Sequence, residues 1–231
     1  MQRKTILMSP ADSKIYNFFE RHFNVIGTDC LEEFISYEQY HADMQALKIN
    51  DKLFINANCK KLISSLNKTN INLISCENIG YRYPLNVALN ALHIENKMFC
   101  LEKALHPLVK EYCLNSDIEI INVKQGYTKC STLVVDHNSI ITDDESIHKT
   151  ASKSGIDSLL IEKGDIYLDE KNYGFIGGAS AKIGKTIYFF GDINAHRNAD
   201  KIKKFIHKKN LTIECVTSDS LKDIGGIIAL D

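Results

Sequence analysis

A unit of about 45 residues recurs along this 231-residue chain, and the two chain ends complete one another. In the clearest copy Leu133-Val134-Val135 turns at Asp136-His137-Asn138 into Ser139-Ile140-Ile141-Thr142. Two short apolar runs around Asp and Asn predict a β-hairpin. Asp143-Asp144-Glu145 then opens a segment with Ile147 and Ala151 four apart, which predicts a helix that Gly155 ends. The run Ile156-Asp157-Ser158-Leu159-Leu160-Ile161 predicts a closing strand.

The same strand–turn–strand–helix–strand order reads upstream from Leu92-His93-Ile94 and from Leu47-Lys48-Ile49, and downstream from Ala181-Lys182-Ile183. Helices are expected over 60–66, 107–114 and 199–207. Leu108, Val109, Tyr112 and Cys113 fall on one face of the second, and Ile202, Phe205 and Ile206 face inward in the third. The tail Ile227-Ile228-Ala229-Leu230-Asp231 is a first strand with nothing after it. Thr5-Ile6-Leu7-Met8 is a second strand with nothing before it, followed by Ser9-Pro10 as a helix start, a helix over 11–23 and a strand at 24–26. The expectation is one α/β domain over 1–231, a five-fold pseudosymmetric ring (an α/β propeller) of ββαβ units. Its repeats fall near 43–75, 86–122, 128–162, 177–217, and 223–231 joined with 1–27, and pairing of the N- and C-terminal strands closes it. A doubly wound α/β sheet also alternates strands and helices, but there a single strand, not a hairpin, precedes each helix.

Composition narrows the function classes. With 44% hydrophobic and 25% charged residues, a net charge of −1 and a pI near 6.7, nothing marks a nucleic-acid binder. No run of 18 apolar residues marks a membrane span, and the four-residue apolar stretch before Ser9-Pro10 is too short for a secretory signal. The seven cysteines, at 30, 59, 76, 100, 113, 130 and 215, form no C-x-x-C pair, so reduced thiols in a cytoplasm are expected. Cys100 and Cys215, on apolar strands, are expected to be packed.

Near-motifs fail on spacing. The stretch from Gly178 to Thr186 has one residue too many between its glycines for a P-loop and leads into a strand. The Asp136 turn lacks the glycine of a calcium loop. The eight histidines include no pair spaced for a helical metal site, so no metal or other cofactor is expected; a zinc site would have to be assembled from distant repeats.

Tyr173-Gly174-Phe175-Ile176-Gly177-Gly178-Ala179-Ser180, Lys129-Cys130-Ser131-Thr132, Phe189-Phe190-Gly191-Asp192 and Asp223-Ile224-Gly225-Gly226-Ile227-Ile228 resemble a bacterial family assigned to the pentein, or guanidino-group-modifying-enzyme, fold. That resemblance implies that the segments entering each first strand converge on a central channel. They carry Asp43, Asn86, Asn90, Lys129, Ser131, Ser180 and Asp223 as ligand-binding candidates and Cys130 as the catalytic candidate. The fold's enzymes use a cysteine nucleophile, a general-base histidine and carboxylates on these same segments. Here the carboxylate position after Gly177-Gly178 is Ala179, the His-x-Asp position is Tyr127-Thr128-Lys129, and Ile227-Ile228-Ala229 stands where the nucleophile follows Gly225-Gly226. The resemblance therefore implies a protein without the usual catalytic set that binds a small polar ligand or a partner at the channel. The alternative is a cysteine-dependent hydrolase or transferase acting through Cys130 on a guanidine- or amide-like substrate. A ribosome- or protein-binding role is a third reading that the near-neutral charge does not favour.

Overall fold

One local pattern builds the molecule five times over. The computed structural model describes residues 3–230. β3 (Ala46–Ile49) and β4 (Lys52–Asn56) form a hairpin, α3 (Lys60–Leu66) crosses over, and β5 (Asn72–Cys76) returns parallel to β4. β6 (Leu92–Ile94), β7 (Lys97–Cys100), α4 (Pro107–Asn115) and β8 (Glu119–Asn122) repeat the arrangement. So do β9 (Thr132–Asp136), β10 (Ser139–Thr142), α5 (Glu145–Lys153) and β11 (Asp157–Leu160). The fourth copy is β12 (Ser180–Ile183), β13 (Thr186–Phe189), α6 (Ala199–His207) and β14 (Thr212–Cys215). The fifth is divided by the chain ends. β15 (Ile227–Ala229) lies antiparallel to β1 (Thr5–Met8) with Met8 opposite Ile227, and β2 (Asn24–Gly27), reached through α1 (Ser13–His22), is parallel to β1. Each sheet has three strands with the second in the middle, and among the described residues the five sheets remain separate rather than joining into one barrel.

Burial follows this order. The middle strands are almost wholly buried, whereas the third strands sit at a sheet edge and are half exposed. That gradient corrects one reading: Cys215 ends an outer strand and is exposed, and Cys30 is exposed too, while the other five cysteines are buried. Burial pushes the Cys59, Cys76 and Cys100 thiols up to about 12, so they are inert packing. Leu108 is likewise 39% exposed, because Pro107 starts α4 with only Val109 and Cys113 fully turned inward. The α1 start also differs. Asp12, not Ser9, caps it by accepting from the Ile15 amide at 3.0 Å, and the helix begins at Ser13. The helix in the third unit ends as expected, at Gly155 with φ +83°.

Five segments leading into the first strands are tied into a cycle. The Asn90 side-chain amide donates to the Asp43 carbonyl (3.3 Å), and the Lys129 amide donates to Asn90 Oδ1 (2.8 Å). The Gly178 amide donates to the Cys130 carbonyl (3.0 Å), Gly226 to Gly178 (3.0 Å), and Asp43 to Gly225 (3.3 Å). One residue from each repeat thus meets the next, and the last meets the first.

Candidate functional site

A pocket of about 300 Å³ opens against this cycle, lined by Tyr37, Glu38, His41, Tyr127, Cys130, Leu168, Lys171, Asn172, Tyr173, Phe175 and Asp223. Most of its walls come from two connecting segments, 28–41 after β2 and 161–176 after β11, which lie outside the repeated pattern. Its chemistry comes from the floor.

Cys130, 2% exposed, donates its thiol hydrogen to Asp43 Oδ2 at 2.7 Å and accepts from the Asn90 side-chain amide at 3.3 Å. Asn90 also receives the Lys129 and Cys130 backbone amides on its Oδ1, at 2.8 and 3.2 Å, so one side chain fixes the thiol's position. A donor atom each of His41, Asp43 and Cys130 lie within 4.8 Å of one another, and all three residues are buried. Asp223 Oδ1 lies 4.0 Å from His41 Nδ1. Asp223 is itself anchored by two backbone amides, Phe175 to Oδ2 and Gly225 to Oδ1, both at 2.9 Å. Glu38 accepts from the Tyr127 hydroxyl (2.8 Å) and from Asn86 (3.0 Å). Tyr127 stacks between Tyr83 and Phe175, with centroids 5.9 and 6.2 Å away, and forms an aromatic wall.

Electrostatically the site is crowded with carboxylates, with the Lys129 charge acting against them at Asp43. Burial pushes the Asp43 carboxyl up to about 7, helped by nearby Asp223 and opposed by the Cys130 hydrogen bond. Burial raises Glu38 against its two hydrogen bonds, and lowers His41 against the attraction of Asp223. Burial, and next the Asp43 charge, hold the Cys130 thiol well above its usual range, so in the free protein it is a neutral donor rather than a thiolate.

This carries a pH prediction. Asp43 titrates near 7 when folded against an ordinary value of 3.8, so the folded state binds its proton more tightly. Its stabilisation is complete below about pH 3.8 and is lost as pH rises through 7, an upper figure on the order of 4 kcal/mol. Melting temperatures measured from pH 4 to 8 should therefore fall, and Asp43→Asn should flatten the fall. An unchanged slope in the variant would show that Asp43 is not the group responsible.

Of the residues singled out in the sequence, Asp43, Asn90, Lys129 and Cys130 come together through the hydrogen bonds above, and Asn86 joins them through Glu38 and Tyr127. Asp223 lines the same pocket. Of these candidates only Cys130 and Asp223 line the pocket; Asp43, Asn86, Asn90 and Lys129 lie behind the lining, and Ser131 and Ser180 are spent elsewhere: the Ser180 hydroxyl donates to the Ile176 carbonyl, and the Ser131 hydroxyl is buried without a partner among the described residues. Glu38, His41 and the aromatic wall went unread in the sequence. A signal for His41 was there, since His41-Ala42-Asp43 is a His-x-Asp triplet two units ahead of Tyr127-Thr128-Lys129, where the motif was sought. Cys130 likewise precedes by two units the position after Gly225-Gly226.

A family model described as "Family of unknown function (DUF6873)" matches residues 8–228, and the chain belongs to that family. No curated protein matches the chain. Among solved structures, the agmatine deiminase of C. jejuni is 14% identical, with 95% of this chain and 91% of that chain covered and a TM-score of 0.57. A DDAH (dimethylarginine dimethylaminohydrolase) from Pseudomonas aeruginosa complexed with citrulline is 9% identical over 94% and 93% of the chains, with a TM-score of 0.58. An amidinotransferase from Microseira wollei in the saxitoxin biosynthetic pathway is 6% identical over 100% and 94%, with a TM-score of 0.63. The fold is the pentein fold of these guanidino-modifying enzymes. No described helix is long and apolar enough to cross a membrane.

Proposed function

We propose that the pocket binds a small planar cation of the guanidinium or amidinium type and that Cys130 attacks its central carbon. In this reading the whole chain is one domain, and its five sheets stand as blades of an α/β propeller around the hydrogen-bonded cycle. The observation that carries the proposal is the convergence of Cys130, His41 and Asp223 in the lining of one pocket, with Asp43 bonded to Cys130 directly behind it. The positions where the resemblance sought the catalytic set are empty, which favoured a binder without chemistry. A cysteine beside a histidine, with a carboxylate behind it, favours the cysteine-dependent alternative.

Glu38, Asp43 and Asp223 would pair with the cation's N–H groups, and the Tyr127–Phe175 wall would receive its flat face. The cation also favours thiolate formation. The Cys130 proton passes to Asp43 Oδ2, its hydrogen-bond partner, and the sulfur pair forms an S–C bond while the C=N pair moves onto nitrogen. The leaving amine takes that proton from Asp43 and departs with its bonding pair while a remaining nitrogen re-forms the C=N bond. Water, giving a proton to His41, then forms a C–O bond as the C=N pair returns to nitrogen; the C–S bond breaks as C=O forms and the hydroxyl proton leaves to solvent, and sulfur takes the proton from His41. The names of the similar enzymes, an agmatine deiminase and an amidinotransferase among them, are consistent with this substrate class.

The test compares 2-chloroacetamidine with 2-chloroacetamide, which share an electrophilic carbon and differ in charge. Native Cys130 should favour the amidine over the amide by at least about tenfold more than exposed Cys30 and Cys215 do, tenfold being about 1.4 kcal/mol of charge recognition. Equal preference at all three sites, read by mass spectrometry, would overturn the proposal. Ureido or amine product from agmatine or a methylated arginine, lost in Cys130→Ala, would establish turnover.

A further inference from the structure

We propose that His41, Asp43 and Cys130 form a binding site for a thiophilic divalent cation, Zn²⁺ in the first instance. The three supply one nitrogen, one oxygen and one sulfur donor within 4.8 Å of one another, on residues 2–5% exposed. A tetrahedral zinc site with bonds of about 2.0–2.3 Å spaces its donors roughly 3.5 Å apart, so the widest pair must close by about 1 Å and the Cys130–Asp43 pair must open from 2.7 Å. The donor set is of the kind zinc selects, with a soft sulfur and an imidazole.

A second observation points to a ligand. Asp43 Oδ1 is buried and has no hydrogen-bond donor among the described residues, although its other oxygen takes the Cys130 thiol. A buried acceptor without a donor, directly behind the Cys130 that lines the pocket, is costly unless something positive approaches it. A supporting shell stands close by. Asp223 lies 4.0 Å from His41 Nδ1, just beyond hydrogen-bond reach, so a small closure would give the carboxylate–imidazole bond that orients metal-bound histidines, and Asn90 fixes Cys130. With three protein donors, the fourth position faces the pocket, which gives an open site rather than a closed structural one. Binding forms the S–Zn bond as the thiol loses its proton to solvent; no electrons are transferred.

The consequence for function rests on the organic-cation reading above: both cations need Cys130 and Asp43, so they exclude one another. The metal test does not depend on that reading. In a Cys30→Ser/Cys215→Ser background, which removes the exposed thiols, Co²⁺ should give a near-ultraviolet thiolate-to-cobalt charge-transfer band saturating at one ion per chain and abolished by Zn²⁺. Cys130→Ser should abolish the band, and Asp223→Asn should weaken binding by about 10–100-fold. No band, or a band that survives Cys130→Ser, overturns the site. Because Cys130→Ser could disturb packing, protection of the unaltered Cys130 from the uncharged reagent iodoacetamide by Zn²⁺, reversed by EDTA, provides a second readout; absence of protection overturns the site equally. Loss of cation-selective labelling with the cobalt band intact would remove the guanidinium reading alone.

Discussion

A chain that stops at Gly226 is expected to lose the fold as a whole instead of fraying at one end. The missing strand β15 pairs with β1 at three positions, and the Leu230 amide bonds the Thr5 carbonyl beyond them. Lys48 of the first repeat also donates to the Ala229 carbonyl at 3.0 Å, so the strand ties two repeats together. Ile227 and Leu230 are each 8% exposed, and burying such side chains contributes roughly 1.5–3 kcal/mol apiece. Their loss alone removes about 3–6 kcal/mol from a total that is typically 5–15 kcal/mol. The cut also exposes the edge of β1, whose Ile6, Leu7 and Met8 are fully buried. Urea unfolding should show a truncated chain either unfolded without denaturant or with its midpoint sharply lowered. A midpoint equal to that of the full chain would mean that the terminal strands do not close the molecule.

Gly178→Ala should cost nearly as much and should abolish charge recognition in the pocket. A Cβ at Gly178 would stand 1.9 Å from Asp223 Oδ1 and 2.4 Å from its carboxyl carbon, so the carboxylate must leave. The Phe175 and Gly225 amides then lose their acceptor, at about 1–3 kcal/mol each when buried. For a domain of this size that corresponds to a fall in melting temperature on the order of 10 °C. The amidine-over-amide preference of Cys130 should fall with it. Asp223→Asn, which keeps the shape and removes the charge, should lose the preference with a smaller thermal effect. If Gly178→Ala keeps both its melting temperature and its selectivity, Asp223 is not held where the structure has it.

The repeated pattern was legible because hairpins and amphipathic helices are local. Asn50, Glu95 and Gly184 take positive φ in the hairpin turns of three units, and turn chemistry of that kind shows in the sequence around a period-2 apolar run. The strand without a partner at each end likewise implied a pairing across the termini. The gradient of burial from middle to outer strand was not legible: Ile213-Glu214-Cys215-Val216 reads as apolar whether the strand is central or at an edge, and only its place beside β13 leaves Cys215 in solvent.

At the candidate site the division is sharper. Local pattern is enough to mark the segments that carry polar residues into the first strands, and these hold Cys130, Asp43, Asn90 and Asp223. It could not set them 2.7 Å or 4.0 Å from particular partners, since Asp43 and Cys130 are 87 residues apart and meet only when separate repeats pack. Glu38 and Phe175 stand in long connections without periodicity, and Tyr127 lies just before β9, where no pattern fixes its ring. Each takes its role from stacking or hydrogen bonds to distant residues, so their place in the pocket wall follows from long-range packing. The same holds for charge: an aspartate in a sequence is an ordinary acid, and Asp43 becomes one that titrates near 7 only when packing removes its water and brings Asp223 near.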